Sequence, residues 1–238
     1  MHQAFRRYAT AGITLVGASM IAVTPVTAPP PGVHLADIQL TAGDEQDIVI
    51  DILRHGQRMP PQNLETNQSP PYPGVPLSEL GQQQAQDVGN KLFNELGGPN
   101  GVAGIFSGQG IRDMDTAAPF AALEQMPVQI LPGLDELDPG ILANLPLTSP
   151  GGILAELIVL VGALGFEFAT APGSSDAGGV DADEKFTGAV DTMYNAAMAN
   201  PVVSANGQIT DVAFNNEASV ALWVALNTKN YELPLFVA

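Results

Sequence analysis

The chain of 238 residues contains no cysteine. Disulfide bonds, catalysis by a thiolate and metal sites built on thiolates are therefore excluded. Histidine is also scarce, because only His2, His34 and His55 are present. We expect neither a metal nor an organic cofactor.

Basic residues are few as well. Eight Lys and Arg stand against 25 Asp and Glu, which gives a formal net charge of −17. Nucleic acids are bound by basic faces, and anionic membrane surfaces attract basic segments. We therefore expect no nucleic-acid partner, and contact with a membrane only through an uncleaved leader.

An uncharged, mostly apolar run occupies the region from Ala9 to Val23, directly after Arg6 and Arg7. A basic start, a short apolar run and small residues at its end are typical of a signal peptide. We predict a signal peptide over 1–28, a linker over 29–46 and a secreted or cell-envelope location. An uncleaved anchor is the less favoured alternative, because a membrane span needs about 20 apolar residues.

The most informative stretch runs from Asp47 to Arg58. Ile, Val and Leu dominate the segment from Asp47 to Leu53, and a short run of this kind is typical of a buried strand. Ligands of open α/β sheets bind outside the carboxyl ends of the strands, where Arg54 and His55 would lie. Basic residues around one histidine in so acidic a chain predict an anion site. The open alternative is that Arg54 pairs with a core carboxylate and that His55 is a satisfied interior histidine.

The pattern after this strand alternates between helices and strands. A helix is predicted over 78–96, with Ser78 as its N-cap and Gly97-Gly98 as its stop. A second helix is predicted over 112–123, and strands over 102–107 and 128–131. This order favours a parallel sheet with helices on both faces, so the predicted fold is a three-layer αβα sandwich formed by one domain over 47–238.

The second half of the domain is predicted from the same signals. It contains, in order, an apolar helix at 153–168, an acidic mobile loop at 171–185, a helix at 186–200, a strand at 209–214, a helix at 217–226 and a strand at 233–237. Residues 150–185 are predicted to form an insertion or a lid. The helix at 153–168 is expected to be buried or to line a pocket, and the alternatives are a membrane span and a surface that docks to lipid.

Four motifs follow one another in the first half of the domain. They are Arg54-His55-Gly56, then Leu77–Ala85 (LSELGQQQA), Phe106–Ala117 (FSGQGIRDMDTA), and Leu134-Asp135-Glu136 with Gly140. This ordered set resembles the histidine phosphatase superfamily, also called the phosphoglycerate mutase-like family. With the predicted signal peptide it most resembles the exported actinobacterial members. The resemblance covers residues 47–145 well and the remainder poorly.

The resemblance implies a phosphoglycerate mutase-like fold and hydrolysis of a small phosphate ester through a phosphohistidine. By match to the motifs, His55 is the nucleophile, Arg54 and Arg112 bind the phosphoryl group, and Glu136 protonates the leaving group. An arginine fork suits phosphate oxygens, and a carboxylic acid can supply the proton. Arg58 is also a candidate for phosphate binding, although the family varies there and the side chain is equally consistent with an exposed position.

Two of these assignments have structural alternatives. Arg112 could pair with Asp115 on the surface of its helix. Glu136 could be one of several solvated carboxylates beside Asp135 and Asp138.

The sequence departs from the family at one position. The resemblance implies a second catalytic histidine after a late strand, where this chain has Asn216 or Asn215. Asparagine can bind a phosphate oxygen but brings no positive charge, and a hydrogen bond to a charged group is worth roughly 1.5–3 kcal/mol. The sequence therefore predicts an exported phosphomonoesterase that this replacement can weaken. The alternative is a degenerate envelope protein that binds an anionic ligand without turnover, and mutase activity is least favoured.

Overall fold

A computed structural model describes residues 47–60, 74–164, 166, 169–176 and 178–227. The predicted signal peptide (1–28), the linker (29–46) and the predicted strand at 233–237 lie outside these residues. The described part contains a four-stranded parallel sheet in the order β1-β4-β2-β3, which confirms the predicted sheet. Its strands are β1 (Ile48–Arg54), β2 (Gly104–Ser107), β3 (Gln129–Ile130) and β4 (Ile209–Asn215).

Helices cover both faces of this sheet. They are α1 (Glu79–Leu96), α2 (Ile111–Glu124), α3 (Pro150–Ala163), α4 (Gly179–Ala199) and α5 (Glu217–Asn227). The α1 and α2 helices pack on one face and the α4 and α5 helices on the other. The predicted three-layer αβα sandwich is therefore confirmed.

The core follows from the alternation of side chains along the strands. On β2, Ile105 packs toward α1 and α2, whereas the next residue, Phe106, packs toward α4 and α5. Successive side chains of a strand point to opposite faces, so a continuous apolar strand is what a sheet covered on both sides requires.

The first helix begins and ends as its sequence predicts. The Ser78 hydroxyl accepts a hydrogen bond from the Gly81 N–H at 3.1 Å, which satisfies one of the unpaired donors of the first turn. Gly97 ends the helix in a left-handed conformation with φ of 100°, which costs glycine nothing. Ser78 also holds the amino end of α1 beside the loop that follows β1, because its backbone N–H donates to the Gln57 carbonyl at 2.8 Å.

The predicted mobile loop at 171–185 is wrong in its second part, because α4 begins at Gly179 and includes Lys185. Lys185 forms an ion pair with Asp181 one turn earlier, with Nζ and Oδ2 2.7 Å apart. An acidic first turn complements the helix dipole and the i,i+4 pair adds to it. Composition alone indicated a loop, whereas these pairings favour helix.

The α3 helix is not the buried helix that its hydropathy predicts. It packs against α5, where Gly162 faces Leu222. Its other side leaves Ile153, Leu154 and Leu157 about half exposed, at 50%, 45% and 49%. None of the helices in the described ranges has the length and apolar character needed to cross a membrane.

Candidate active site

The site lies at the carboxyl edge of the sheet, where β1 and β4 end side by side. These strands run parallel with Arg54 opposite Asn215, and the backbone N–H of His55 donates to the Asn215 carbonyl at 3.0 Å. The next residue on each strand therefore leaves the sheet at the same level. This brings His55 and Asn216 together, although 161 positions separate them in the chain.

The His55 ring is held in one tautomer. Its Nδ1 lies 2.7 Å from the Gly56 carbonyl oxygen, which can only accept, so Nδ1 carries the proton. Burial is the largest cause that lowers the pKa of His55, the positive charges of Arg112, Arg54 and Arg58 add to it, and the bond to Gly56 opposes it; together they bring the pKa to about 3. The imidazole is therefore neutral near pH 7, with a lone pair on Nε2.

Arg112 is the buried cation of the site. Only 3% of the residue is exposed, and its guanidinium donates to Asn216 Oδ1 from Nε at 3.1 Å and from Nη2 at 2.6 Å. Its Nη2 also lies 3.5 Å from Glu136 Oε2. The alternative in which Arg112 pairs with Asp115 on the helix surface is wrong, because the side chain points into the molecule.

Asn216 joins this arginine to a carboxyl group that the sequence did not single out. Its Nδ2 donates to Asp113 Oδ2 at 3.0 Å while its oxygen accepts from Arg112. Asp113 is fully buried, and burial raises its pKa well above the usual range; Arg112 opposes this shift, and Glu136 and Asp135 add to it. The Asn216 side chain thus fixes the orientation of Arg112. Asn215 precedes it as the last residue of β4.

Arg54 and Arg58 lie closer to the surface. Arg54 forms an ion pair with Glu217, with Nη1 and Oε2 2.6 Å apart, and both side chains are about half exposed. It does not pair with a core carboxylate, so that alternative is wrong. Arg58 is partly buried and its backbone bridges to Leu77 in front of α1. Both arginines are close enough to His55 to lower its pKa.

Glu136 lies on the side of Arg112 that faces the loop after β3. Its side chain is 24% exposed, with Oε2 toward Arg112 and Oε1 accepting from the backbone N–H of Leu137 at 3.2 Å. It is therefore not a freely solvated carboxylate. The neighbouring Asp135 accepts hydrogen bonds from the backbone and side-chain N–H groups of Gln109.

Backbone contacts tie the first three motifs together. The N–H of Gly56 donates to Thr116 Oγ1 at 3.0 Å, and that hydroxyl donates to the Arg112 carbonyl at 2.6 Å. A Cβ on Gly56 would come within 2.6 Å of the Gly81 carbonyl oxygen, and a Cβ on Gly81 would overlap the backbone of Gln57. The two glycines are needed for this close packing, which sets the position of the loop that carries His55.

The sequence-predicted residues thus form one cluster. The structure brings His55, Arg112, Asn216 and Glu136 together around the end of β4, with Arg54 and Arg58 nearer the surface. Sequence reasoning missed Asp113 and Thr116. The position of Thr116 within the third motif was the available signal for one of them, whereas Asp113 looks no different from Asp115 in the sequence.

A neutral imidazole beside fixed guanidinium groups and a carboxyl group suits a reaction at a phosphoryl centre. The guanidinium groups can neutralise phosphate oxygens and the carboxyl group can exchange a proton. Among the residues that the structure describes, no group of three or more histidine or carboxylate side chains is arranged to hold a metal ion.

Comparison with known protein sequences agrees with this geometry. Residues 50–150 match the family model described as histidine phosphatase superfamily (branch 1). The PE-PGRS family protein PE_PGRS11 of Mycobacterium tuberculosis (strain ATCC 25618 / H37Rv) is 44% identical over 190 residues, which cover 79% of this chain and 32% of that protein. The chain therefore corresponds to about a third of the length of this curated relative.

Solved structures share the fold. The native structure of a mycobacterial glucosyl-3-phosphoglycerate phosphatase aligns with a TM-score of 0.55 and 19% identity, over 74% of this chain and 76% of that chain. A phosphoglycerate mutase from Bacillus anthracis str. Sterne aligns with a TM-score of 0.52 and 18% identity, over 74% and 78%. At these identities the likeness establishes the architecture alone.

Proposed function

The domain belongs to the histidine phosphatase superfamily, and from this premise we propose that it hydrolyses phosphate monoesters through a phosphohistidine on His55. The observation that carries the proposal is the state of the His55 ring. Its Nδ1 proton is held by the Gly56 carbonyl at 2.7 Å and its pKa is lowered to about 3. A nucleophile has to be unprotonated at the attacking atom, and Nε2 meets this requirement at any physiological pH.

The reaction consists of two balanced displacements. Nε2 of His55 attacks phosphorus, the bond from phosphorus to the ester oxygen breaks, and Glu136 gives a proton to the departing alcohol. Water then attacks the phosphohistidine, Glu136 takes back a proton, and phosphate leaves with the imidazole restored. Because one carboxyl group acts as acid and then as base, it ends in its starting state.

Arg112 is proposed to hold the phosphoryl group during both steps. Its guanidinium is buried, and Asn216 fixes its orientation through two hydrogen bonds. A preorganised buried cation stabilises developing charge better than a mobile one, because no reorganisation is needed as the reaction proceeds. Arg54 and Arg58 add positive charge at the mouth, where Glu217 partly offsets that of Arg54.

A second candidate function is favoured by Asn216. Its side-chain oxygen accepts two of the Arg112 donors, and it supplies no positive charge of its own. A site of this kind could bind a phosphorylated or other anionic ligand and release it unchanged. This binding-only function differs from the first in its lack of turnover.

The test compares p-nitrophenyl phosphate hydrolysis by the purified protein with that by His55→Ala, and uses His34→Ala in the predicted linker as the matched control. We expect the His55 variant to lose at least about 1,000-fold in kcat/KM and the His34 variant to match the parent. Equal hydrolysis by all three proteins would contradict the proposal. Absence of turnover together with phosphate binding that Arg112→Ala removes would establish the binding-only function instead.

We also propose that the protein is exported to the cell envelope or beyond. The support is the basic, then apolar, then small-residue pattern of residues 1–28. Amino-terminal sequencing of the protein recovered from culture medium and from the envelope fraction tests this. A mature end close to residue 29 is the expected result, and full-length protein confined to the cytosol would contradict it.

A further inference from the structure

A cavity of about 440 Å³ lies between the 131–138 segment, residues Ser175 and Asp176, and the α4 helix. Glu136 forms part of its wall, and on its other side Glu136 approaches Arg112 at 3.5 Å. The cavity therefore begins at the carboxyl group that is proposed to protonate the leaving alcohol. An alcohol that departs toward Glu136 would have this cavity beside it.

The polar lining of the cavity carries an excess of negative charge. Four acidic residues line it, Asp135, Glu136, Asp138 and Asp176, against one basic residue, Lys185. The Lys185 ammonium group already forms two ion pairs, because its Nζ lies 2.7 Å from Asp176 and 2.7 Å from Asp181. The described wall therefore offers no unpaired cation to a negatively charged group.

The remainder of the wall is apolar or small. Leu131, Pro132, Phe186 and Ala189 form one side, and Gly188 leaves open space where another residue would place a side chain. The room suits a group of several carbon atoms, and the hydroxyl groups of Thr192 and Ser219, which donate to the Gly188 and Asp135 carbonyls, lie at its edge.

We propose that this cavity receives the alcohol part of the substrate and that this alcohol is uncharged or positively charged, such as a polyol or an amino alcohol, and carries no carboxylate. The inference rests on the proposed function. A second anionic group on the alcohol would enter a negative region, and two like charges about 8 Å apart at an effective dielectric constant near 40 repel by about 1 kcal/mol, or about fivefold in rate for each uncompensated carboxylate.

The first experiment measures kcat/KM for phosphoethanolamine, glycerol 3-phosphate and 3-phosphoglycerate. These esters have alcohol parts of similar size that are positive, neutral and negative. We expect the rate constant to decrease in that order, with at least about a tenfold gap between glycerol 3-phosphate and 3-phosphoglycerate. Equal values, or a preference for 3-phosphoglycerate, would overturn the inference and leave the proposed function standing.

Two variants of residues on the cavity wall separate the effect of its charge from the effect of its shape. Asp176→Asn removes a negative charge and should reduce the ratio of kcat/KM for glycerol 3-phosphate to kcat/KM for 3-phosphoglycerate by about fivefold. Lys185→Gln removes a positive charge and should increase this ratio by a similar factor. A purely structural disturbance of the wall would change this ratio in the same direction in both variants, and that result would overturn the inference. Lys91→Gln on α1, which removes a surface lysine paired with Glu95, should leave the ratio unchanged.

If no ester is hydrolysed, the proposed function is wrong. A binding measurement then tests the assignment of the cavity by itself. The chain has a single tryptophan, Trp223, whose ring lies 5.1 Å from that of Phe186 on the cavity wall. Its fluorescence should respond to phosphoethanolamine and glycerol 3-phosphate at lower concentrations than to 3-phosphoglycerate. The reverse order, or no response to any of the three, would overturn the assignment of the cavity.

Discussion

At the scale of single residues, neighbours in the chain are given opposite electrostatic roles. Arg112 and Asp113 are both buried, and Asn216 binds both of them, whereas Asp115 two positions later is exposed. Burial favours the neutral form of Asp113 and the neutral form of His55. The Arg112 guanidinium is instead held by Asn216 and approached by Glu136 at 3.5 Å.

The first prediction at this scale concerns the proton donor. Glu136→Gln cannot donate a proton, so hydrolysis of an alkyl phosphate should fall by about 100- to 10,000-fold. p-Nitrophenolate leaves without protonation, so the aryl ester should lose much less. The ratio of the two kcat/KM values is the measurement.

Asp138→Asn, in the same loop, serves as the control for that ratio. We expect it to change the alkyl and aryl rates together. A Glu136→Gln variant that slows both esters equally would remove Glu136 from the role of acid.

The second prediction concerns pH. The pKa of His55 is lowered to about 3, so its neutral form persists as the pH falls and is lost only near that value. After correction for ionisation of the ester, kcat/KM should therefore show no histidine-type inflection between about pH 8 and about pH 5. An acid limb centred near the ordinary histidine pKa that is also seen for the His55 imidazole by NMR would contradict the structure.

At the scale of elements, the site depends on how close α1 comes to the end of β1. The backbone N–H of Ser78 donates to the Gln57 carbonyl at 2.8 Å, and the Gln57 N–H donates to Gln84 Oε1, also at 2.8 Å. Gly56 and Gly81 face each other across this contact. The second motif is thus a packing surface for the loop that carries the nucleophile.

Because of this contact, we expect one added methyl group at Gly81 to have a large effect on the free energy of unfolding. Gly81→Ala would force the amino end of α1 away from Gln57 and should lower the free energy of unfolding by about 1–3 kcal/mol, with a parallel loss of activity. Gly188→Ala, in α4, meets open space and should raise the free energy of unfolding by about 0.5–1 kcal/mol. Equilibrium urea denaturation measures both. Similar changes in the two variants would show that the close approach does not constrain the fold.

At the scale of the whole molecule, charge of one sign dominates. The net charge of −17 is distributed over a protein with only eight basic residues, and three of these, Arg54, Arg58 and Arg112, lie at the site. Self-repulsion of like charges destabilises a compact state. The cations at one edge of the sheet make the electrostatic potential of the site more positive than that of the remaining, acidic surface.

The prediction at this scale is that salt stabilises the fold. Raising sodium chloride from about 10 mM to about 150 mM shortens the screening length and should raise the melting temperature by about 2–6 °C. Potassium chloride should act equally, because the effect is one of ionic strength. A melting temperature that falls with salt would mean that attractive pairs outweigh the repulsion.

The local features of this protein could be predicted from the sequence because they depend on near neighbours. The strand that ends at Arg54, the cap at Ser78 and the stop at Gly97 each rest on residue preferences within a few positions. The order of the predicted strands and helices also indicated the sheet, since parallel strands joined by helices have few possible arrangements.

The tertiary structure alone decided which side chains meet. Local pattern does not distinguish Asp113 from Asp115, and it indicated a buried α3 and a loop where α4 begins. The pairing of Arg54 with Glu217 and the orientation of Arg112 by Asn216 join residues more than 100 positions apart. Such contacts depend on strand register and on helix packing against the sheet, and no short stretch of sequence contains that information.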